Sequence, residues 1–162
     1  MKNNKIGLDF HGVISAMPRE FAVFCKSIRR KGIKVYVISG GPKKDIEQYL
    51  QKYGIEYDYV WAILDVCTME GNVSFYEDGS FQVPTDIWNK AKAEYCACEN
   101  IDFHVDDSNI YGKYFVTPYC KYDICNGSCS LSDGLRVDFN HPEEAAEIVA
   151  DFLNLTSEED RD

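Results

Sequence analysis

The sequence near the N-terminus places one acidic residue at the end of a short apolar run. Residues 5–10 are Lys-Ile-Gly-Leu-Asp-Phe, and Gly12 follows Asp9 by three positions. Such a run predicts a buried strand, and a glycine shortly after it predicts a turn. We therefore expect the strand to deliver the Asp9 carboxylate to one edge of a sheet. There it would be held rigidly from behind and open in front, as a nucleophile requires.

The same pattern recurs twice further along the chain. Residues 33–38 lead into Ser39, and residues 101–105 lead into Asp106 and Asp107. In an open parallel sheet, ligands bind beyond the carboxyl ends of the strands. Because all these polar side chains follow strands, the set favours one functional site over unrelated caps and turns.

Helix and strand signals alternate along most of the chain, which predicts an α/β fold. We expect a Rossmann-like three-layer sandwich with a central parallel sheet of about five strands. The predicted strands are 5–10, 33–38, 58–64, 101–105 and 114–117. The predicted helices are 18–30, a second one that follows Pro42 and runs to about Tyr53, 86–98 and 142–154. Asp78-Gly79 predicts the turn of a β-hairpin within 73–83.

The length of 162 residues favours one domain over 1–155, with a small hairpin insertion at about 66–85. The stretch 120–134 is rich in Cys, Gly, Ser and Asp and predicts a loop. Asn140 is expected to cap the last helix. The side chains of that helix expected to face inward are Ala145, Ile148, Val149 and Phe152. Residues 156–162 predict a mobile acidic tail.

The net charge of −10 argues against a nucleic-acid partner, which needs a basic face, and suits a site that concentrates a divalent cation. No apolar run approaches the roughly 20 residues of a membrane span, and the N-terminus has no signal-peptide pattern. We therefore expect a cytoplasmic protein without a membrane partner.

Seven cysteines are scattered along the chain. Their odd number and the predicted cytoplasmic location favour reduced thiols. The groups Cys96/Cys98 and Cys120/Cys125/Cys129 leave a zinc site open as an alternative. Because their spacings match no common paired zinc pattern, buried or idle thiols are the favoured interpretation.

The residue types at the strand ends fit phosphate chemistry. A carboxylate that attacks an anionic phosphate ester is repelled, so a divalent cation must neutralise charge between them. Asp9 and Asp106 would supply two of the oxygen ligands that Mg²⁺ prefers. The Ser39 hydroxyl, the Gly40 backbone N–H and the Lys92 ammonium would hold the phosphate.

Strands that end in Asp9, Ser39 and Asp106-Asp107, with Lys92 in a helical stretch before the last pair, resemble the four motifs of the haloacid dehalogenase superfamily of hydrolases. The resemblance covers roughly residues 5–117. It implies that Asp9 forms an aspartyl-phosphate and that Ser39 binds the phosphoryl group.

The resemblance also implies a set of metal ligands. Asp9, the backbone carbonyl of His11 and Asp106 would bind Mg²⁺ directly, with Asp107 assisting. The motif lysine precedes the acidic pair, and Lys90 competes with Lys92 for that role. The spacing to Asp106 favours Lys92.

One residue departs from the family pattern. Phosphatases of this superfamily usually carry a second Asp two positions after the nucleophile, where it protonates the leaving oxygen and then activates water. Here that position is His11. Imidazole performs acid–base work near neutral pH, so we expect His11 to be the acid/base. The alternative is that His11 fills space and turnover is slow.

The sequence thus predicts a Mg²⁺-dependent phosphomonoester hydrolase, with a small phosphorylated metabolite or a nucleotide as its substrate. The small insertion leaves the site open, and the frame resembles nucleotidase-like members of the superfamily. The aromatic residues Phe75, Tyr76, Phe81 and Trp88 are candidates to stack on a base, but packing of the hairpin onto the sheet is the favoured interpretation. The alternative function is a catalytically weak protein that binds a phosphorylated ligand in a regulatory role. An end phosphatase of nucleic acid is disfavoured by the acidic charge.

Overall fold

A computed structural model describes residues 4–159 of the chain. Within these residues the strands are β1 Lys5–Leu8, β2 Lys34–Ser39, β3 Tyr59–Ala62, β4 Ser74–Phe75, β5 Phe81–Gln82, β6 Phe103–Asp106, β7 Tyr119–Asp123, β8 Ser128–Ser130 and β9 Arg136–Asp138. The α-helices are α1 Pro18–Arg30, α2 Lys43–Lys52, α3 Ile63–Met69, α4 Thr85–Cys98 and α5 Pro142–Glu159. Two short 3-10 helices span Ile14–Ala16 and Tyr111–Tyr114.

The central sheet has seven strands in the order β3-β2-β1-β6-β7-β8-β9. The first five run parallel, and β8 and β9 add antiparallel strands at one edge. Strand β1 lies in the middle, where Leu8 pairs with Val37 of β2 and with Val105 of β6. The prediction of an α/β fold with a mostly parallel sheet is confirmed. The carboxyl ends of β1, β2 and β6 therefore lie side by side.

The predicted course of the chain after β6 is wrong. The expected strand at 114–117 begins with the end of a 3-10 helix and continues as irregular chain, and the fifth parallel strand lies at Tyr119–Asp123. The expected loop 120–134 contains most of β7 and all of β8, so the sheet has seven strands rather than about five. Its buried side chains Cys120, Tyr122 and Cys129 lie among turn-forming residues. Whether these residues form strands depends more on pairing with neighbouring strands than on local composition.

The third predicted strand, 58–64, is too long at its end. Strand β3 stops at Ala62, and Ile63 and Leu64 open helix α3. A short apolar run does not distinguish a strand from a buried helix segment. The helix is tied to the loop after β2, since the Leu64 N–H donates to the Gly40 carbonyl at 2.9 Å.

Helix α5 extends beyond its predicted end and runs to Glu159, across part of the predicted tail; residues 160–162 lie outside the described residues. Ala145 and Val149 are buried as predicted, whereas Ile148 is exposed. The Asn140 amide donates to the Asn126 carbonyl and to Asp138, so its hydrogen bonds link turns rather than cap the helix. None of the helices within residues 4–159 is long and apolar enough to cross a membrane.

The predicted β-hairpin is present as the small two-stranded sheet β4–β5, with Gly79 at a left-handed φ of 86° in its turn. Phe75 and Tyr76 are exposed, so the expectation that they pack the hairpin onto the sheet is wrong. Phe81 is also exposed, but its ring lies 5.9 Å from that of Trp88 on α4. Within the described residues, the contact between Phe81 and Trp88 therefore links the hairpin to α4 rather than to the central sheet.

An aromatic cluster joins α1 to the antiparallel edge of the sheet. Phe139, which follows β9, is fully buried, and its ring centroid lies 4.7 Å from Phe21 and 5.1 Å from Phe24. The ring of Tyr122 on β7 lies 6.0 Å away on another side. Such buried rings dominate core energetics, so this cluster anchors the part of the sheet that the sequence did not predict.

We predict that Phe139→Ala lowers the free energy of unfolding by about 3–5 kcal/mol, because it removes a buried ring and leaves a cavity among three others. The matched control is Phe75→Ala, where the same ring is 61% exposed and the expected change stays within about 0.5 kcal/mol. Urea unfolding followed by circular dichroism measures both. Equal losses in the two variants would contradict the assignment of the cluster as core.

Candidate active site

The polar strand ends predicted to converge do meet at one edge of the sheet. Asp9 follows β1 directly, Ser39 ends β2 and Asp106 ends β6. The Asp9 backbone N–H still donates to the Val105 carbonyl of β6 at 2.9 Å, which holds Asp9 in line with the sheet. All three side chains are buried. The site is therefore built on rigid backbone rather than on loops.

Asp9 is anchored through one of its two carboxylate oxygens. Its Oδ1 accepts hydrogen bonds from the Phe10 backbone N–H at 2.9 Å, the Ser39 hydroxyl at 3.1 Å and the Lys92 ammonium at 2.9 Å. No hydrogen bond to Oδ2 comes from the described residues. The side chain keeps 6% of its surface exposed. One oxygen is thus fixed by three donors, while the other is left for a reaction partner or a cation.

Asp106 is held through both oxygens. Its Oδ2 accepts from the Lys92 ammonium at 2.8 Å and lies 3.0 Å from Nε2 of His104. Its Oδ1 accepts one hydrogen bond, from the Ser108 backbone N–H at 3.1 Å. The carboxylate is fully buried. Its orientation is therefore set by a strand neighbour, a helix residue and the loop that follows β6.

Lys92 of α4 bridges Asp9 and Asp106, and its ammonium also lies 5.1 Å from the centre of the Tyr111 ring. Lys90 is exposed and instead lies over the Tyr114 ring at 5.9 Å. The structure therefore brings Lys92, and not Lys90, to the strand ends.

Asp107 completes a cluster of three carboxylates. Asp9, Asp106 and Asp107 each offer an oxygen, and these oxygens lie within 4.8 Å of one another. Gly12 has a left-handed φ of 83°, and a Cβ built there would collide with Oδ2 of Asp107. The close approach of the loop after β1 to Asp107 therefore requires a glycine at position 12. The Lys121 ammonium donates to the Asp107 carbonyl at 2.6 Å, which helps to hold the chain that follows β6.

The chemistry of this donor set fits a divalent cation. Carboxylate oxygens are the ligands that hard cations such as Mg²⁺ prefer, and three of them meet at a single edge. Within residues 4–159 this is the one group of acidic, His or Cys side chains close enough to share a metal. All seven cysteines are free, and none belongs to this group.

His11 lies in the loop after β1 with its ring exposed. The ring contacts Phe10 edge-on at 4.9 Å between centroids, and its nitrogens make no hydrogen bond to the described residues. Nothing therefore ties the imidazole to Asp9 or to the other carboxylates. Its role as acid/base, and that of its backbone carbonyl as a metal ligand, stay predictions.

The Trp88 ring packs against the loop after β2. A Cβ built on Gly40 would lie 3.1 Å from the Trp88 ring, so the missing side chain lets the indole approach this loop. The Trp88 indole N–H donates to the Tyr111 hydroxyl at 2.8 Å. The Tyr111 ring in turn contacts the Lys92 ammonium, so Tyr111 connects Trp88 to Lys92. The predicted phosphate-holding residues Ser39, Gly40 and Lys92 thus lie in one place.

Sequence reasoning missed His104. This residue is fully buried on β6, two positions before Asp106, and its Nε2 faces that carboxylate. The signal was present in the sequence, because residues i and i+2 of a strand point to the same face. Tyr111 was also missed, since it reaches the site from an irregular segment that no periodicity marks.

The electrostatics of the site follow from two buried carboxylates and a partly buried third beside the single Lys92 ammonium. Burial raises the pKa of Asp9 to about 7; the charge of Lys92 opposes this, and the charge of Asp106 adds to it. Burial also acts to raise the pKa of Asp106, but the hydrogen bond from His104 and the charge of Lys92 hold it below its usual range. Burial alone would lower the pKa of Lys92, yet the two carboxylates keep it raised. The cluster therefore lacks positive charge at neutral pH.

In a comparison with protein-family models and with curated proteins, this chain matches none of them in sequence. The class of the protein therefore rests on the fold and on the geometry of the site.

We predict that Asp9→Asn stabilises the metal-free protein at high pH. The folded-state pKa of about 7 lies above the ordinary 3.8, so the folded parent binds this proton more tightly than the unfolded chain does. Its stability therefore falls as pH rises from about 4 to about 7. The variant lacks this loss, and its advantage should grow by about 2–4 kcal/mol across the window.

Urea unfolding in EDTA at a series of pH values measures this difference. The same substitution at the exposed Asp151 is the control, and it should leave stability close to that of the parent at each pH. Parallel stability curves for Asp9→Asn and the parent would contradict the raised pKa of Asp9.

Proposed function

We propose that this protein is a Mg²⁺-dependent phosphomonoester hydrolase that acts through an aspartyl-phosphate on Asp9. The observation that carries the proposal is the state of the Asp9 carboxylate. Three donors hold its Oδ1, and its Oδ2 accepts no hydrogen bond from the described residues, at the edge where two further carboxylates lie within metal-binding range. A nucleophilic carboxylate needs this combination of fixed orientation and a free oxygen.

The residues that would hold the cation are Asp9, Asp106 and Asp107, with the His11 carbonyl proposed as a fourth ligand. When bound, the cation neutralises charge between the phosphate and the carboxylates and polarises the phosphoryl oxygens. The carboxylates outnumber Lys92 in the cluster, which supports a requirement for further positive charge.

The chain's own groups would divide the reaction between them. Oδ2 of Asp9 would attack phosphorus and displace the alcohol, and a water molecule would then hydrolyse the acyl phosphate and restore the carboxylate. Ser39 and Lys92 hold Asp9 in place through Oδ1, and with the Gly40 N–H they would contact the phosphoryl group. His11 would give a proton to the leaving oxygen and take one from the water.

The fold is compatible with the haloacid dehalogenase superfamily, which is a Rossmann-like sandwich. The middle strand β1 ends at the nucleophile position, and β2 and β6 on either side end at the serine and the acidic pair. The second candidate is a protein that binds a phosphorylated ligand without turnover. It is favoured by one observation: no contact within the described residues holds the His11 ring toward Asp9.

The proposed substrate is a small phosphorylated metabolite or a nucleotide. The hairpin has two strands of two exposed residues each, which is too little surface to enclose a large substrate. Phe81 and Trp88 present aromatic surface beside the proposed phosphate-holding loop, as stacking on a base would require. The net charge of −10 disfavours a long polyanion. A cytoplasmic location belongs to the same proposal.

We predict that the parent hydrolyses p-nitrophenyl phosphate in the presence of Mg²⁺ and that EDTA abolishes this activity. Asp9→Asn should lower turnover by about 10³-fold or more, because the volume is kept and the nucleophile is lost. Asp151→Asn is the matched control and should retain the parent rate. A panel of phosphorylated metabolites and nucleotides then defines the substrate. Near-native turnover by Asp9→Asn would exclude the covalent mechanism.

We predict that His11→Ala lowers turnover by about 10²–10⁴-fold while changing KM less, because Ser39, Lys92 and the cation carry substrate binding. His11→Asp supplies the acid usual in the superfamily and should keep or raise activity. The measurement is steady-state kinetics of each variant, with His141→Ala, elsewhere on the chain, as the control. If His11→Ala matches the parent rate, imidazole moves no proton in the reaction. If the parent turns over nothing yet binds phosphorylated ligands, the binding function replaces the hydrolase.

A further inference from the structure

A buried histidine that the proposed mechanism does not use stands directly behind one of the metal-binding carboxylates. His104 is fully buried on β6, and its Nε2 lies 3.0 Å from Oδ2 of Asp106. A buried polar side chain is costly unless its hydrogen bonds are made. Its presence between two apolar neighbours, Phe103 and Val105, therefore calls for a reason beyond packing.

The surroundings of His104 fix the plane of its ring. On one side the ring stacks on Phe115, with centroids 5.1 Å apart and planes 9° from parallel. On the side of β1, a Cβ built on Gly7 would lie 2.5 Å from Nδ1, so the ring occupies space that only a glycine leaves free. Gly7 and His104 are direct partners in the sheet register. The imidazole has little freedom to turn away from Asp106.

The hydrogen bonds also assign the proton of the ring. Nδ1 is buried and has no hydrogen-bond partner among the described residues. Asp106 acts as an acceptor, because its Oδ2 accepts from the Lys92 ammonium and its Oδ1 accepts from the Ser108 N–H. The proton is therefore assigned to Nε2, from which it is donated to Asp106.

The two oxygens of Asp106 are consequently unequal. Oδ2 already has two partners, His104 and Lys92. Oδ1 receives only one, from the Ser108 N–H, and so retains capacity for a further partner. The His104 contact thus decides which oxygen of Asp106 is left to a cation.

We infer that His104 is a positioning residue for the metal site: its Nε2–H occupies Oδ2 of Asp106 and orients the carboxylate so that Oδ1 serves the cation. The inference rests on the metal-binding part of the proposed function and adds to it the residue that sets the affinity. Histidine here supports a ligand through a hydrogen bond, in the way that partners of ligating carboxylates commonly do.

Two amide variants test this role. In His104→Gln the side-chain nitrogen lies where Nε2 was, so the donor to Asp106 is kept. In His104→Asn the nitrogen lies where Nδ1 was, facing Gly7, so the donor is lost. Both replace a buried ring with a smaller amide, which makes each the packing control for the other. Circular dichroism and urea unfolding establish that both variants fold.

The measurement is the dissociation constant for Mn²⁺, by electron paramagnetic resonance, and for Mg²⁺, by calorimetry. His104→Asn should bind either cation about 10–100-fold more weakly than the parent. His104→Gln should stay within about threefold of the parent because it keeps the donor. Equal affinities for the parent and His104→Asn, or equal losses in both variants, would overturn the inference.

The pattern of results separates this inference from the hydrolase proposal. A parent that binds Mn²⁺ with the expected variant pattern but hydrolyses no phosphate ester supports the inference and removes the hydrolase. A parent that binds neither cation overturns the metal site and the inference together. A parent that binds Mn²⁺ and is unaffected by His104→Asn overturns the inference alone.

A measurement on the parent protein covers the case in which His104→Asn does not fold. The chain has three histidines, so ¹⁵N labelling of histidine gives three imidazole spin systems, and His104→Gln identifies the one that belongs to His104. The inference requires a proton on Nε2 in the metal-free protein. A proton on Nδ1 with none on Nε2 would overturn it, because the ring would then have no hydrogen to donate to Asp106.

Discussion

The interaction on which the site depends is the buried bridge from Lys92 to Asp9 and Asp106, with contacts of 2.9 and 2.8 Å. Two carboxylates at the ends of neighbouring strands repel each other, and burial makes that repulsion costly. The ammonium from α4 offsets it and fixes the helix against β1 and β6. An uncompensated buried charge typically costs several kcal/mol. Loss of this lysine would therefore disturb the sheet edge as well as the chemistry.

The single positive charge of Lys92 does not balance the negative charge of the cluster, because Asp107 adds a third carboxylate close to Asp9 and Asp106. Burial is the main reason why the pKa of Asp9 is raised, and the charges of Asp106 and Asp107 add to it. Active sites commonly accept this kind of destabilisation, since an arrangement that is unfavourable alone is favourable with its ligand. The same imbalance that lowers the stability of the metal-free fold supports the case for a divalent cation.

The sequence predicted the convergence of the polar strand ends better than it predicted the periphery, for a physical reason. Asp9, Ser39 and Asp106 follow strands of a parallel sheet, and the topology of such a sheet brings their ends together whatever the details of packing. Strands β7 to β9 depend instead on pairing with one another, and their Cys, Ser and Asp residues also suit loops. The aromatic cluster around Phe139 holds that edge through contacts between elements distant in sequence. No local pattern records such contacts.

The position of His11 separates two parts of the proposed reaction. Asp9 is held by hydrogen bonds from Phe10, Ser39 and Lys92, and none of these donors is the exposed His11 ring. In the proposed reaction, attack on phosphorus would therefore depend on β1, β2 and α4, whereas proton transfer would depend on a loop. Imidazole titrates nearer neutral pH than a carboxylic acid does, so a histidine acid/base would give the proposed reaction a different pH dependence from that of an aspartic acid. The hydrogen bonds that hold Asp9 and the three-carboxylate cluster do not involve the His11 ring, so the groups proposed to bind phosphate and the group proposed to move the proton are held by separate contacts.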